Sequence, residues 1–514
     1  MTRNVLSRDL IDLPPLEGED VRHPILWLSA VTALAAGLRL YGMGSDLWLD
    51  EITTVLDYRN VSALRVLTEY TSSNNHLLNT LLVKGMVSLF GPAEWAVRLP
   101  AILLGIACIP TIYALARVAL RQREALFASL LLAVSYHHIF FSQNGRGYTG
   151  LLFWSMLGTT FFLRGTTRDA TRDWVLYVGA MLLAVAMVLY GFFVIAGHVL
   201  SFAGVCAMLW KQGRRPWPLA RRLLVVWAAL GLLCLLLYAS VLGQVSLYAA
   251  TIYKTPAVGY APFSAEHGRE LVRGLSAGFG GPTVIAGLAA LFIFGFGCAL
   301  FVRRHSFYAI TLVAPLFATA GFLLARGLRF SPRFFLWGLP VAWIFAAGAV
   351  ISLGRWLRSR GSFSGRAAQG IARAVPFLAV AALGALSALS LPAYYSTPKQ
   401  PYRASLDWAL ARRQNGDPIV GAYLARWGLR FYGPARGLTE GQSFFGVLSS
   451  GELESVEQAS RGRTVWLLTT FPRALRLEHP DLDRYIRDHY REQKSFDATI
   501  GDGQVAVWTR ELSR

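Results

Sequence analysis

Apolar residues in this chain come in runs of roughly 17 to 25, the length a helix needs to cross a bilayer, separated by short polar connections. The runs fall at 26–43, 96–118, 124–141, 147–163, 174–190, 192–210, 222–241, 284–302, 307–325, 333–353 and 374–392, which predicts about eleven transmembrane helices. Leu77 to Phe90 is also apolar. It is short for a span, broken by Lys84 and closed by Gly91-Pro92, so it predicts an interfacial helix on the outer surface. After residue 392 the pattern changes to charged, short-period segments. Pro418 to Leu424 and Thr464 to Thr470 predict buried strands, Leu482 to Gln493 an amphipathic helix, and Gln504 to Arg510 a last strand. The expected organisation is a cytoplasmic segment 1–25, a mainly α transmembrane domain 26–392 with outer loops 44–95 and 242–283, and a small outer α/β domain 393–514. In the second loop, Pro262-Phe-Ser264 followed by Glu266 predicts a further surface helix. The C-terminal domain carries no evident catalytic cluster and is expected to be a lid or stabilising cap.

Composition agrees with a polytopic membrane protein: 54% of residues are hydrophobic, 16% are charged and the mean hydropathy is +0.42. The net charge of +20 resides in alternate short loops, such as Arg117, Arg121 and Arg123, or Lys211, Arg214, Arg215, Arg221 and Arg222. That is the positive-inside pattern, so the charge reports topology and not a nucleic-acid partner. Cys108, Cys206, Cys234 and Cys298 lie inside apolar spans without metal-like spacing, which indicates neither a disulfide framework nor a zinc cluster. The leader contains Asp9, Asp12, Glu17, Glu19 and Asp20, unlike a cleaved signal peptide, so the first span is expected to be retained.

Against this background a few polar residues stand out. Asp50 and Glu51 lie just past the first span, where two acids meet the headgroup zone. Basic residues on the outer side run against the loop-charge bias: Arg146 after the third span, and Arg326, Arg329 and Arg333 in Ala325-Arg-Gly-Leu-Arg-Phe-Ser-Pro-Arg333. A guanidinium fork at that depth suits a phosphate whose lipid tail stays in the bilayer; snorkelling to lipid phosphates is the plainer alternative. A carboxylate pair facing such a phosphate fits transfer of a group, a sugar above all, from a phospholipid carrier to a hydroxyl. The competing class is a transporter or flippase. Glu94 and Arg98 have helical i,i+4 spacing and, with Lys84, are expected to form a local ion-pair set. His76 reads as a helix cap or as a ligand, and His137 and His138 sit at the outer end of the third span.

Four stretches taken together resemble a known family: Leu47-Trp-Leu-Asp-Glu51; Asn75-His76 through Phe90-Gly91 with Arg98-Leu-Pro100; Ser142-Gln-Asn-Gly-Arg-Gly-Tyr148; and Pro332-Arg333-Phe. They are similar to motifs of the GT-C superfamily of membrane glycosyltransferases that use polyprenyl-phosphate sugars, near its protein O-mannosyltransferases, lipid A aminoarabinose transferase and rhizobial galacturonosyltransferases. Lys399-Gln-Pro-Tyr-Arg403 resembles the start of that group's periplasmic domain. The resemblance implies a GT-C-like fold in a bacterial inner membrane, with the active site facing the periplasm. It implies Asp50 as catalytic base with Glu51 beside it and Arg333 on the donor phosphate; Arg146, Arg329 and Arg326, basic exceptions on the same face, are further candidates for the phosphate, and His76, Gln143 and Tyr148 for substrate contacts. The implied partners are a polyprenyl-phosphate-linked sugar, a glycan, lipid or protein acceptor, and membrane lipids. No cofactor is required by it, although a divalent metal stays open. Two positions depart from the family pattern: Asn144 stands where relatives carry an acid, and Leu77 follows His76 where relatives often have proline.

Overall fold

The computed structural model describes residues 21–70, 72, 74–213, 216–252, 269, 272, 294–303, 305–326, 328, 330–359 and 366–513. Helix α1 (Pro24–Leu40) opens the membrane domain with proline in its first turn, where no amide hydrogen is needed. Three short helices follow before the next span: α2 (Leu49–Tyr58), α3 (Ala63–Thr68) and α4 (Leu77–Phe90). The segment expected to lie at the interface is thus a helix of its own, ended by Gly91 at φ 79°. Then come α5 (Glu94–Ala116), α6 (Gln122–Val134), α7 (Tyr136–Ser142), α8 (Tyr148–Arg168), α9 (Thr171–Met187), α10 (Gly191–Lys211), α11 (Trp217–Tyr238) and α12 (Leu242–Ile252). Helices Phe294–Arg303, Ser306–Ala325, Gly338–Ser359 and Arg366–Ala388 complete the domain. Among the described residues six helices are long and apolar enough to cross a membrane, or seven when α6 and α7 count as one broken span. The helices α1 and α9 have 17 residues each and fall just short of that length. The expected surface helix near Pro262 and most of the expected span 284–302 lie outside the described residues.

The third expected span differs in shape. It bends by 60° between α6 and α7, at Ser135. A break inside a bilayer must be satisfied by protein, because no water is there to do it. Arg39 of α1 does so: its guanidinium, fully buried, donates to the carbonyls of Ala35, Leu132 and Ala133, to Ser142 Oγ, and across 2.5 Å to His138 Nδ1. On the other side the Tyr136 amide donates to Ser387 Oγ at 2.9 Å. Close helix contact supports the rest. A Cβ on Gly147, at the start of α8, would stand 2.2 Å from the backbone carbonyl oxygen of Met187 at the end of α9, so only glycine allows that approach. Side chains such as Ile25, Leu232, Leu236, Phe317 and Leu378 are exposed, forming the belt that lipid covers.

The C-terminal domain is a five-stranded sheet in the order β2-β1-β3-β5-β4, with β1 (Ile419–Ala422) parallel to β2 (Phe444–Val447) and β3 (Thr464–Thr470), and β3, β5 (Val505–Glu511) and β4 (Arg491–Phe496) antiparallel. The helix expected over 482–493 is Pro480–His489, and its last expected residues belong instead to β4. That strand is an exposed edge with polar residues on both faces, so it leaves no alternating signal in the sequence. One face of the sheet builds a core with the segment that follows α1: Leu47, Ile52 and Val55 pack with Tyr402, Leu406, Leu429, Tyr432, Val505 and Val507.

Candidate active site

Asp50 and Glu51 occupy the first turn of α2, where carboxylates favour the helix dipole. Neighbours on a helix point about 100° apart, and the two acids have separate surroundings. Glu51 is fully buried and bonded to Arg98, also fully buried, by two N–H···O bonds of 2.7 and 2.9 Å. Its oxygens also accept from the Gly145 amide at 2.7 Å and from the Trp48 amide at 3.1 Å, which caps α2. Burial opposes charge on Glu51, but Arg98, Lys399 and the Gly145 amide outweigh it and hold the carboxyl below its usual range. Arg98 goes on to donate to the carbonyls of Met43, Ser45 and Asp46. The expected Glu94–Arg98 pair does not form: tertiary contact wins over i,i+4 spacing. Glu94 meets Arg403 at 3.5 Å, and Lys84 donates to the Arg59 carbonyl.

Gly145 is held from two sides, since Asn79 Nδ2 donates to its carbonyl at 3.0 Å. A side chain there would meet the Val97 carbonyl at 3.0 Å and Val97 Cγ1 at 2.9 Å. The turn thereby presents Arg146 to Asp50, with 3.7 Å between Nη1 and Oδ2. Arg146 is buried and engages Asn74 Oδ1 and His76 Nε2. His76 Nδ1 lies 3.1 Å from the Met187 carbonyl, which can only accept, so Nδ1 carries the hydrogen and Nε2 accepts from Arg146. Burial, then the Arg146 charge, keep the ring well below its usual pKa and neutral. Arg333 follows Pro332 in a 3₁₀ turn before the helix Gly338–Ser359. It hydrogen-bonds Tyr148, and Tyr148 first, then Tyr190 and Asp50, hold its guanidinium above the ordinary arginine range. Tyr148 is itself buried against Phe141 and His76.

Asp50, Arg146, His76, Tyr148 and Arg333 are therefore brought into one neighbourhood. Gln143 is nearby but occupied: it donates to the carbonyls of Arg39 and Tyr41 and accepts from Tyr394. Asn144, at the position of a family acid, accepts from the Trp48 indole at 3.1 Å. Arg326 is exposed at the end of its helix, and Arg329 lies outside the described residues. The donors present do not fit a divalent ion. Both ring nitrogens of His76 are engaged, Glu51 is paired with Arg98, Asp50 faces a guanidinium, and no group of three His, Cys, Asp or Glu side chains converges among the described residues.

Reasoning from sequence missed the residues by which the C-terminal domain holds α2. Gln400, fully buried, accepts from the Leu49 amide at 2.6 Å and donates to Thr470 Oγ1 at the end of β3. Tyr432 OH accepts from the Leu47 amide at 2.7 Å, and Arg403 binds Asp46 through side chain and backbone. Lys399, also buried, donates to the Gln143 carbonyl. The run Lys399 to Arg403 was the one available signal, by resemblance alone.

Outside the membrane-crossing helices, Asp50 lines a cavity of about 570 Å³ between α2, α3 and the residues after β1. The fold is that of a polytopic membrane protein of the GT-C type. Residues 77–242 match the family model of dolichyl-phosphate-mannose-protein mannosyltransferases. The chain is similar to ArnT from Cupriavidus metallidurans in its apo state (14% identity, 94% of this chain and 97% of that chain, TM-score 0.56) and bound to undecaprenyl phosphate (15%, the same coverages, TM-score 0.53). It is also similar to the oligosaccharyltransferase AglB from Archaeoglobus fulgidus in complex with an inhibitory peptide and a dolichol-phosphate (12%, 94% and 74%, TM-score 0.53). At these identities the likeness is one of fold. No curated protein matches in sequence.

Proposed function

We propose that the chain transfers a sugar from a polyprenyl-phosphate carrier to a hydroxyl acceptor at the outer face of a bacterial inner membrane, with Asp50 as general base. The observation that carries the reading is the Asp50 carboxylate, which lines a cavity and has two guanidinium groups, Arg146 and Arg333, beside it. The undecaprenyl phosphate and dolichol-phosphate bound in structures of similar fold support a polyprenyl phosphate on the donor side.

Asp50 takes the acceptor's hydroxyl proton while that oxygen bonds to the anomeric carbon. The bond from that carbon to the phosphate oxygen breaks, its electron pair leaves with the phosphate, and the anomeric configuration inverts. The phosphate departs with added negative charge, which Arg333 stabilises from beside Tyr148. Arg146 has both terminal nitrogens engaged by the protein, so it orients Asp50 and contributes charge, whereas Glu51 fixes α2 through Arg98 and is not the base. Purified protein in detergent, given a polyprenyl-phosphate sugar and candidate hydroxyl acceptors, is expected to release polyprenyl phosphate. Full release by Asp50→Asn overturns the assignment of the base.

A further inference from the structure

The parallel part of the small sheet has the order β2-β1-β3, so the chain moves to one side of β1 and then returns to the other. In open α/β sheets such a switch leaves a crevice beyond the carboxyl ends of the strands, and ligands bind there. Here those ends face the membrane domain. Thr470, at the end of β3, is tied through Gln400 to the amide of Leu49 in α2, and Leu424 and Trp427, just past β1, line the same cavity as Asp50. Tyr423 and Phe471, the residues that follow β1 and β3, both take the left-handed conformation (φ 52° and 50°), which is strained for a side-chain-bearing residue.

We infer that this cavity binds the acceptor, and that the acceptor is a glycan bearing no negative charge on the part that lies along α2 at Asp57. The inference rests on the reading of Asp50 as base for which hydroxyl reacts, not for the binding itself. Along α2, Asp50, Thr53 and Asp57 follow at intervals of three and four and so share one helical face, and all three line the cavity. The half-buried Asp57 has no hydrogen-bond or ion-pair partner among the described residues. The lining arginine, Arg65, is already paired with Glu69 at 2.7 Å. Arg426 and Arg430 lie against the Trp427 ring, 5.1 Å from its centroid, but outside the lining, and Arg430 is paired with Glu440. The wall therefore combines the unpaired Asp57 carboxylate with Thr53 and Asn74, bonded to each other at 2.7 Å, and with an indole, which receives sugar hydroxyls, an ammonium group and the apolar face of a sugar ring. A phosphate or carboxylate set against Asp57 would meet like charge.

The test uses the full chain in neutral detergent with Ser72→Cys, a lining position, and compares labelling by a trimethylammonium and a sulfonate methanethiosulfonate. With each rate divided by that of free mercaptoethanol, the cationic reagent is expected to lead by about fivefold at low salt, and Asp57→Asn to reduce that lead. Equal rates, or a lead for the sulfonate, overturn the charge assignment. Chitotriose, its deacetylated cationic form and trigalacturonate then serve as protectants. Slowing by either of the first two, lost in Trp427→Ala at an unchanged melting temperature, is the expected result. Equal or better protection by trigalacturonate, or protection by none, overturns the glycan assignment. Labelling requires neither donor nor turnover, so protection in a chain without transferase activity refutes the proposed function and keeps the site, while an active chain without protection does the reverse.

Discussion

Breaking the buried Glu51–Arg98 pair without changing the volume of the site separates two neighbouring acids by what each contributes. In Arg98→Met the Glu51 carboxylate keeps the Trp48 and Gly145 amides but loses two charge-assisted bonds of 2.7 and 2.9 Å, and three backbone carbonyls lose their donor. Such bonds contribute about 1.5 to 3 kcal/mol each, in line with the roughly 3 to 5 kcal/mol lost when one partner of a buried pair is removed. Glu51→Gln still accepts from Gly145, but its amide hydrogens face a guanidinium, so a loss of about 2 to 3 kcal/mol is expected. The double variant Glu51→Gln/Arg98→Met contains no unpaired buried charge and is expected to lose less than the sum of the singles by about 1 to 3 kcal/mol. The assay is thermal unfolding in detergent at one scan rate for all four proteins, alongside release of polyprenyl phosphate normalised to folded protein. Singles that add to within about 0.5 kcal/mol, or a Glu51→Gln protein with wild-type stability and no turnover, refute the reasoning and place Glu51 in the chemistry.

Asp50→Asn is expected to show the opposite profile, with transfer abolished at an unchanged melting temperature; turnover near wild type removes it as the base. Arg333→Ala is expected to raise the donor KM by tenfold or more, corresponding to about 1.5 to 3 kcal/mol, with Arg333→Lys intermediate. Titration of donor at fixed acceptor checks this, and equal behaviour of the two variants reduces Arg333 to snorkelling. Burial foremost, then Arg98 against an opposing pull from Glu51, lowers the Lys399 pKa to about 7 from 10.5. Between those values the unfolded chain holds a proton that the folded chain has released, so stability rises with pH across that window. Melting temperatures measured through it are expected to climb in the wild type and to lose that component in Lys399→Met. For topology, Ser72→Cys is expected to react with an impermeant thiol reagent on intact spheroplasts and Gln212→Cys only after lysis; the reverse result puts Asp50 on the cytoplasmic side.

Features with a local cause were legible in the sequence. Span lengths, the separate helix Leu77–Phe90 and the change of character after residue 392 follow from hydrophobic run length, and Asp50, Arg146 and Arg333 stood out as polar exceptions at span ends. What was not legible depends on contacts across the chain. The bend at Ser135 interrupts a continuous apolar run, and its satisfaction by Arg39 comes from another helix. Arg98 seemed matched to Glu94 by spacing, but its partner lies 47 positions away. Gln400 belongs to a domain whose composition gave no hint that it holds the turn that presents Asp50.

That last connection has a consequence for how the protein is made. The Leu49 amide waits for an acceptor 351 positions later, and Asp46 for an arginine 357 positions later. At roughly 5 to 20 residues per second, synthesis of the intervening chain takes on the order of 20 to 70 seconds. During that interval the membrane helices are made one after another while α2 lacks its ties to the C-terminal domain. The neighbourhood of Asp50 is thus finished only when the last domain has been made and has folded against α2, so nascent and truncated chains lack an assembled centre.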